Sequence, residues 1–213
     1  MSSLKEFDDR LRENHGDFIA GFDEAGRGPL CGPVVAAGVI LPPGFDSSII
    51  NDSKKLTDKK RREMFEVIKK EAIAYHISII DVETIDRINI LEASRKGMQE
   101  ALDDFVNKGV LVNCVVTDYM NLHTSLPLYK MKKGDATSLN VAAASILAKV
   151  TRDDILIELD KKYPEYGFKS HKGYGTKEHL EKMREYGIIE GVYRKSFKPV
   201  KEIILEKEKI TLF

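Results

Sequence analysis

The chain has 213 residues, of which 42% are hydrophobic and 32% charged, the composition of a globular protein with one sizeable core. Its 34 basic and 34 acidic residues give a formal net charge of zero, which argues against indiscriminate binding of polyanions but leaves room for a local basic face. No signal-peptide pattern opens it and no apolar run approaches the roughly 20 residues that cross a bilayer, so a cytoplasmic protein without a membrane span is expected.

The first half of the chain predicts strands interleaved with helices. Residues 4–14 indicate a short surface helix, and residues 18–22, 34–41 and 74–80 indicate strands. Thr57 precedes apolar positions at helical spacing and is predicted to cap an amphipathic helix. Residues 82–108 predict helix in two pieces, with a break near Asn89.

The second half predicts a buried strand over residues 110–117 that ends at Asp118, and a short edge strand over residues 126–132. A long Ala-rich helix over 139–159 and a Gly-containing loop over 171–176 follow. A further helix over 176–186 ends at Gly187, which suits a left-handed C-terminal position. The tail after Pro199 begins as another helix.

This order of elements indicates an α/β fold, a mixed β-sheet flanked by helices. We expect one domain over residues 1–213, with a helical C-terminal part from about residue 160 and a short tail over 206–213. The two cysteines, Cys31 and Cys114, lie far apart in apolar surroundings and are predicted to be buried free thiols.

Acidic residues stand where two predicted strands end and where the long helix begins. Asp23 and Glu24 follow the first strand, Asp118 follows the strand over 110–117, and Asp135 precedes the Ala-rich helix. Clustered carboxylates repel one another, and hard divalent cations such as Mg²⁺ and Mn²⁺ prefer such oxygen ligands. The alternative is that these acids form turns or cap helices, and spacing alone does not bring all four into one site.

Six short motifs occur in the order typical of one enzyme family and span about residues 18 to 200. They are residues 23–29 (DEAGRGP), 51–56 (NDSKKL), 133–135 (KGD), 142–153 (AAASILAKVTRD), 171–176 (HKGYGT), and Arg194 with Ser196, Phe197 and Pro199. Together they resemble the signature of ribonuclease HII, the type 2 ribonuclease H family.

The resemblance implies a ribonuclease H-like core sheet and metal-binding, catalytic carboxylates at Asp23, Glu24, Asp118 and Asp135. It implies an endonuclease that uses two Mg²⁺ or Mn²⁺ ions to cut the RNA strand of RNA–DNA hybrids. Such enzymes also nick duplex DNA 5′ of an embedded ribonucleotide, leaving a 3′-hydroxyl and a 5′-phosphate, a reaction of replication and repair. Tyr119 departs from the family pattern, which places Gly there, so the following loop is expected to run differently or the activity to be altered.

Nine residues are predicted to contact the nucleic acid. Gly26, Arg27 and Gly28 are expected to read the 2′-hydroxyl through close backbone approach, the alternative being a tight turn with a solvated arginine. Tyr174 is expected to stack on a sugar, as the family resemblance implies. Short polar or basic side chains suited to phosphate complete the set: Asn51, Ser53, Lys54, His171 and Lys172.

The C-terminal segment 210–213, Ile-Thr-Leu-Phe, is apolar after a charged stretch. It resembles the short peptides that dock in the bacterial sliding clamp, and the equal alternative is a tail folded onto its own core. Two other functions stay open: a DNA nuclease of the same broad fold, and a nucleic-acid-binding protein that has lost catalysis. A monomer is expected from the family alone.

Overall fold

The protein is described here by a computed structural model that covers residues 4–50 and 57–211. Its strands are β1 (Ile19–Ala25), β2 (Val34–Ile40), β3 (Ala74–Ile80), β4 (Cys114–Asp118) and β5 (Leu128–Met131). Its α-helices are α1 (Leu4–His15), α2 (Asp58–Glu71), α3 (Val82–Ile88), α4 (Ile90–Asn107), α5 (Leu139–Lys162), α6 (Phe168–His171), α7 (Lys177–Tyr186) and α8 (Lys198–Thr211).

The described strands form one five-stranded sheet in the order β3-β2-β1-β4-β5. β1 pairs antiparallel with β2, and β2 with β3, whereas β4 runs parallel to β1, and β5 parallel to β4. The predicted mixed sheet and the edge position of the strand near residue 130 are therefore confirmed. The α/β fold with flanking helices is confirmed as well.

Helices cover both faces of the sheet because the strand side chains alternate between two apolar layers. Alternate residues of β2 pack toward α5 (Val35, Ala37, Val39) or toward α4 (Ala36, Ile40). Helix α5 lies directly on β1 at Gly21, where an added Cβ would stand 2.3 Å from the carbonyl carbon of Asn140. Only glycine permits this approach, which fixes α5 against the strand that carries Asp23 and Glu24.

The C-terminal helical part packs on the loop between β1 and β2. Its buried residues, including Tyr166, Phe168 and Tyr193, form a cluster with Leu30 and Cys31. This packing ties residues 163–204 to the segment that follows Glu24 on the chain. Among residues 4–50 and 57–211, no helix has both the length and the apolar character needed to cross a membrane.

Several local predictions are confirmed. Thr57 caps α2 by accepting the N–H of Lys60, and the helical stretch after residue 82 breaks at Asn89, whose φ is 68° and whose side chain caps α4. Both cysteines are buried and free, and burial raises the pKa of each thiol to about 12, the wrong direction for a reactive thiolate.

Other boundaries differ from the predictions for identifiable reasons. β4 begins at Cys114 and not at residue 110, because the N–H of Val110 bonds the carbonyl of Phe105 in the turn that ends α4. β1 continues to Ala25, so both acidic residues lie within the strand and not after it. Gly187 ends α7 with φ 101° and ψ −173°, so its φ is positive, as predicted, but its conformation is not the left-handed helical one.

Candidate active site

Two carboxylates meet because β1 and β4 are parallel neighbours. Phe22 stands opposite Thr117 in the register, so Asp23 and Asp118 are the next residues along the two strands. Asp23 is 6% exposed. Burial, the charge of Glu24 and the charge of Asp118 raise the pKa of Asp23 well above its ordinary value, against hydrogen bonds from the Glu24 N–H and the side chain of Ser145. The acids at this edge thus repel one another.

Asp118 is linked to the segment that contains Asp135. The N–H of Gly134 donates to Oδ1 of Asp118 at 3.0 Å, and Asp135 lies in the 3-10 turn Gly134–Ala136. Ser138 caps α5 by accepting the N–H of Val141, so Asp135 does not serve as the cap of that helix. Asp135 is 9% exposed, a degree of burial that a simple turn former does not require.

A cleft of about 390 Å³ opens beside these acids. Glu24 and Asp135 contribute negative charge to its wall, and Arg61, Lys149 and Arg152 contribute positive charge. The remaining wall is Ala25, Gly26, Arg27, Gly28, Ser145, Ile146 and Tyr174. The wall thus combines acids able to bind cations with bases able to bind a phosphate backbone.

The acidic residues fit a hard divalent cation by their chemistry, although they are not preassembled around one. Oε2 of Glu24 is buried and has no hydrogen-bond partner among residues 4–50 and 57–211. Burial, partly offset by Arg27, raises the pKa of the Glu24 carboxyl. A cation would relieve both the missing partner and the repulsion. In the same ranges, no three acidic, histidine or cysteine side chains already form a ready-made metal group.

The loop after β1 turns sharply at Gly26, whose φ is 99°. A Cβ there would stand 2.1 Å from Nε of Arg152, so glycine is required by both conformation and space. The exposed Arg27 side chain reaches back to Glu24, with Nη1 3.4 Å from Oε1. At Gly28 an added Cβ would meet the ring of Tyr174 at 3.3 Å, so this loop and that ring adjoin.

Tyr174 is half exposed on a loop that is tightly held from below. The carbonyl of Gly173 accepts the N–H of Leu30 at 2.8 Å, and the carbonyl of Tyr174 lies 2.9 Å from Nδ1 of His179. Arg152 donates to the carbonyl of Lys172 at 3.1 Å. The ring is therefore presented to the cleft from a fixed backbone.

Two predicted contacts are placed differently from Tyr174. His171 ends the short helix α6 and is 8% exposed. Its Nδ1 accepts the N–H of Gly173 and its Nε2 lies 2.8 Å from the carbonyl of Tyr166, so both ring nitrogens are engaged within the fold. Lys172 is partly exposed with φ 51° and does not line the cleft.

Some predictions concern residues outside the described ranges. Asn51, Ser53 and Lys54 fall in the stretch 51–56, and the end of the tail segment 210–213 falls beyond residue 211. In the other direction, Ser145, Arg61 and Lys149 border the cleft and were not predicted as site residues. Ser145 and Lys149 lie in a matched family motif, which is the signal that points to them.

Tyr119 adopts φ 57°, the left-handed conformation that glycine favours, and its ring is 66% exposed. The backbone after Asp118 thus has the conformation expected for a glycine, at a cost of about 1 kcal/mol for a bulky residue. The hydroxyl of Thr117 also bonds both the carbonyl and the N–H of Met120, which holds this turn closed. The backbone at Tyr119 therefore gives no reason for the loop after Asp118 to run differently from that of a protein with glycine at this position.

The family model described as Ribonuclease HII matches residues 20–200. The chain belongs to the ribonuclease HII family. A ribonuclease HII of Acholeplasma laidlawii is 47% identical over 198 residues, covering 93% of this chain and 96% of that one. This ribonuclease HII family member is therefore an endoribonuclease of the kind that cleaves the RNA of RNA–DNA hybrids, within a metal-dependent class of enzymes.

Solved structures share the fold. The crystal structure of ribonuclease H2 from Pyrococcus horikoshii OT3 superposes with a TM-score of 0.76 at 25% identity, covering 90% of this chain and 99% of that one. The ribonuclease HII in a PCNA complex from Archaeoglobus fulgidus superposes with a TM-score of 0.67 at 25% identity, covering 83% and 92%. The predicted ribonuclease H-like sheet is confirmed.

Proposed function

We propose that the cleft beside Asp23 is the active site of a metal-dependent endonuclease for RNA–DNA hybrids and for duplex DNA that contains single ribonucleotides. The observation that carries this proposal is the pairing of β1 with β4, which brings mutually repelling, buried acids beside a loop of small residues and an exposed tyrosine. Nicking falls on the 5′ side of the ribonucleotide and leaves a 3′-hydroxyl and a 5′-phosphate.

Asp23, Glu24, Asp118 and Asp135 would hold two Mg²⁺ or Mn²⁺ ions, with Asp23 the ligand best placed to be shared. When bound, such ions lower the pKa of a water and stabilise the negative charge that develops on the phosphate. Ser145 supports Asp23 through its hydrogen bond, and the Gly134 N–H orients Asp118. None of the protein's own side chains is needed as a general base.

The substrate contacts follow from the shape of the cleft. The backbone of Gly26, Arg27 and Gly28 reads the 2′-hydroxyl, and the Arg27 side chain moves from Glu24 to the nucleic acid when cations bind. Tyr174 packs on the sugar that follows the ribonucleotide. Lys172, which is partly exposed and lies outside the cleft wall, is proposed to contact phosphate, and the same role is proposed for Asn51, Ser53 and Lys54.

His171 has a different proposed role. Because both of its ring nitrogens bond the backbone, we assign it to support of the Tyr174 loop and not to phosphate contact. Arg61 and Lys149 take its place as the basic residues that border the cleft. Lys149 is held by Asp153 at 2.7 Å, which aligns it along α5.

Three labelled duplexes test the proposal: an RNA–DNA hybrid, a DNA duplex with one ribonucleotide, and the matched all-DNA duplex. We expect metal-dependent cutting of the first two and none of the third, with an Asp103→Asn variant as a matched surface-carboxylate control. Efficient cutting of the all-DNA duplex would favour a DNA nuclease. Binding of all three without cutting would favour a binding protein that lacks catalysis.

A contact between residues 210–213 and a sliding clamp is proposed as well, and the PCNA complex of the archaeal relative supports it. We propose a cytoplasmic monomer of one domain that reaches replicating DNA through this tail. Removal of residues 210–213 should abolish clamp binding and leave thermal stability unchanged. A fall in stability upon truncation would instead show that the tail packs on its own core.

A further inference from the structure

Arg194 is fully buried and uses its whole guanidinium on one loop. Nε donates to the carbonyl of Gly32 at 2.9 Å. Nη1 donates to the carbonyls of Arg27 and Pro29 at 3.2 and 2.9 Å, and Nη2 donates to those of Gly26 and Pro33 at 2.7 and 3.0 Å. A guanidinium has five N–H donors, so every one of them is directed at a backbone carbonyl of residues 26–33.

These bonds orient two peptide units of the loop that borders the cleft. In a planar trans peptide, the carbonyl of one residue and the N–H of the next point in opposite directions, and the described residues contain no cis peptide. Because Arg194 draws in the carbonyls of Gly26 and Arg27, the N–H groups of Arg27 and Gly28 point away from it. Within residues 4–50 and 57–211, neither N–H donates a hydrogen bond.

The charge of Arg194 is offset without an ion pair among residues 4–50 and 57–211. The guanidinium carbon lies 5.1 Å from the centre of the Phe197 ring, and the carboxylate of Asp86 also favours the charge. Burial and the neighbouring buried Arg152 oppose it and lower the pKa of the Arg194 guanidinium. Two buried like charges are costly, and carbonyl dipoles are what offset the cost. The fold tolerates this cost beside its candidate site, where a loop with a fixed backbone holds its N–H groups in position.

The backbone of Arg194 and of the residues after it is also held by hydrogen bonds. The N–H of Arg194 donates to the carbonyl of Leu30 at 3.0 Å. The next two residues are fixed by Asp86 on α3, which accepts the N–H groups of Lys195 and Ser196 at 2.8 and 2.9 Å. The backbone of Arg194 is thus joined to the loop itself at Leu30, and the residues that follow it are fixed independently by α3.

We infer that Arg194 is a positioning residue for recognition of the ribose. It turns the Arg27 and Gly28 N–H groups toward the cleft, where they donate to a 2′-hydroxyl oxygen, a group that a deoxyribose lacks. This inference rests on the proposed function, since it assigns the origin of the sugar selectivity of that same cleft. It predicts that selectivity depends on a side chain that never touches the substrate.

The test compares dissociation constants in EDTA for two fluorescent duplexes that differ only by one 2′-hydroxyl, for the wild type and Arg194→Lys. Lysine keeps the charge but has only three donors on one nitrogen, so it does not reach the carbonyls of both Gly26 and Arg27. We expect the ratio of the two constants to fall by about tenfold, which corresponds to about 1.4 kcal/mol. Affinity for the all-DNA duplex should change little.

Ile203→Ala is the matched control, because Ile203 lies in the same apolar cluster as Tyr193 and makes no bond to the loop. Ile203→Ala should lower the thermal stability, and its ratio of the two dissociation constants should equal that of the wild type. An unchanged ratio in Arg194→Lys, or an equal fall in Ile203→Ala, would overturn the inference. If the wild type itself shows no binding preference, the positioning role fails, whereas the proposed function is decided separately by cutting of the three labelled duplexes.

A measurement on the wild type covers the case in which Arg194→Lys does not fold. Amide hydrogen exchange at Arg27 and Gly28 should be fast in the free protein. The ribonucleotide-containing duplex should slow it at least tenfold, and the all-DNA duplex should not. Slow exchange in the free protein would show that these N–H groups already have partners. Equal slowing by both duplexes would show that they do not read the 2′-hydroxyl. Either result contradicts the inference.

Discussion

Acidification is predicted to weaken the fold through His179, which supports the Tyr174 loop. His179 is fully buried; its Nδ1 lies 2.9 Å from the carbonyl of Tyr174 and its Nε2 lies 2.9 Å from the hydroxyl of Tyr193. The carbonyl requires a proton on Nδ1, so Nε2 accepts from Tyr193 and the ring is neutral. The ring stacks on His171 at 3.9 Å, so a positive charge on one ring would also be felt by the other.

Burial is the main cause that lowers the pKa of His179 from 6.5 to about 4. The unfolded chain therefore takes up a proton near pH 6.5, whereas the folded protein does not do so until about pH 4. The stability that this neutral ring contributes is complete above pH 6.5 and is lost as the pH falls toward 4. At about 1.4 kcal/mol per pH unit, the loss amounts to about 3 kcal/mol.

Urea unfolding of the wild type and of His179→Gln between pH 7.5 and 4 measures this contribution. Gln does not titrate, and the comparison removes the contributions of groups that both proteins share. The stability difference between them should shrink by about 3 kcal/mol on going from pH 7.5 to 4, because only the wild type loses the neutral ring. A difference that stays constant over this range would refute the lowered pKa of His179 in the folded protein.

Three further predictions concern the candidate site. Gly26→Ala should lower the free energy of unfolding, measured in urea titrations, by about 1–3 kcal/mol and abolish the preference for ribonucleotides. The reason is that the added Cβ would stand 2.1 Å from Nε of Arg152 at a φ of 99°. A variant as stable as the wild type would contradict the claim that this position requires glycine. Tyr119→Gly should stabilise the protein by up to about 1 kcal/mol and retain cleavage, which thermal melting and a nicking assay check together; lost cleavage would show that the ring contributes. Glu24→Gln should weaken Mn²⁺ binding at least about tenfold by calorimetry, and unchanged binding would remove Glu24 from the ligand set.

The sequence predicted the strands, and the acids at their ends, because both follow from local patterns. Apolar runs located β1, β2 and β3, and the acids that interrupt or follow such runs marked the candidate site. The sequence alone did not bring Asp23 beside Asp118, because that juxtaposition depends on strand pairing. Pairing is a long-range property that periodicity does not encode, and only the register of Phe22 with Thr117 supplied it.

What the sequence did not reveal is how the site is supported. Arg194 appeared only as part of a family motif, and nothing in its neighbours indicates that it bonds a loop more than 160 positions earlier on the chain. His171 was expected to contact phosphate as a polar side chain on a Gly-containing loop, the alternative being a solvated ring, whereas tertiary packing buries that ring. Helix termination around Gly109 likewise displaced the start of β4, since turn bonds took the N–H of Val110.

The most direct test of the central claim is nicking of a labelled duplex with one ribonucleotide, in Mg²⁺, Mn²⁺ or EDTA, by the wild type and by Asp118→Asn. We expect metal-dependent nicking 5′ of the ribonucleotide, no nicking in EDTA, and a loss of more than about 100-fold in the variant, which keeps the side-chain shape but loses the charge. Nicking by the variant at the wild-type rate would contradict the claim that the acids joined by β1 and β4 form the active site.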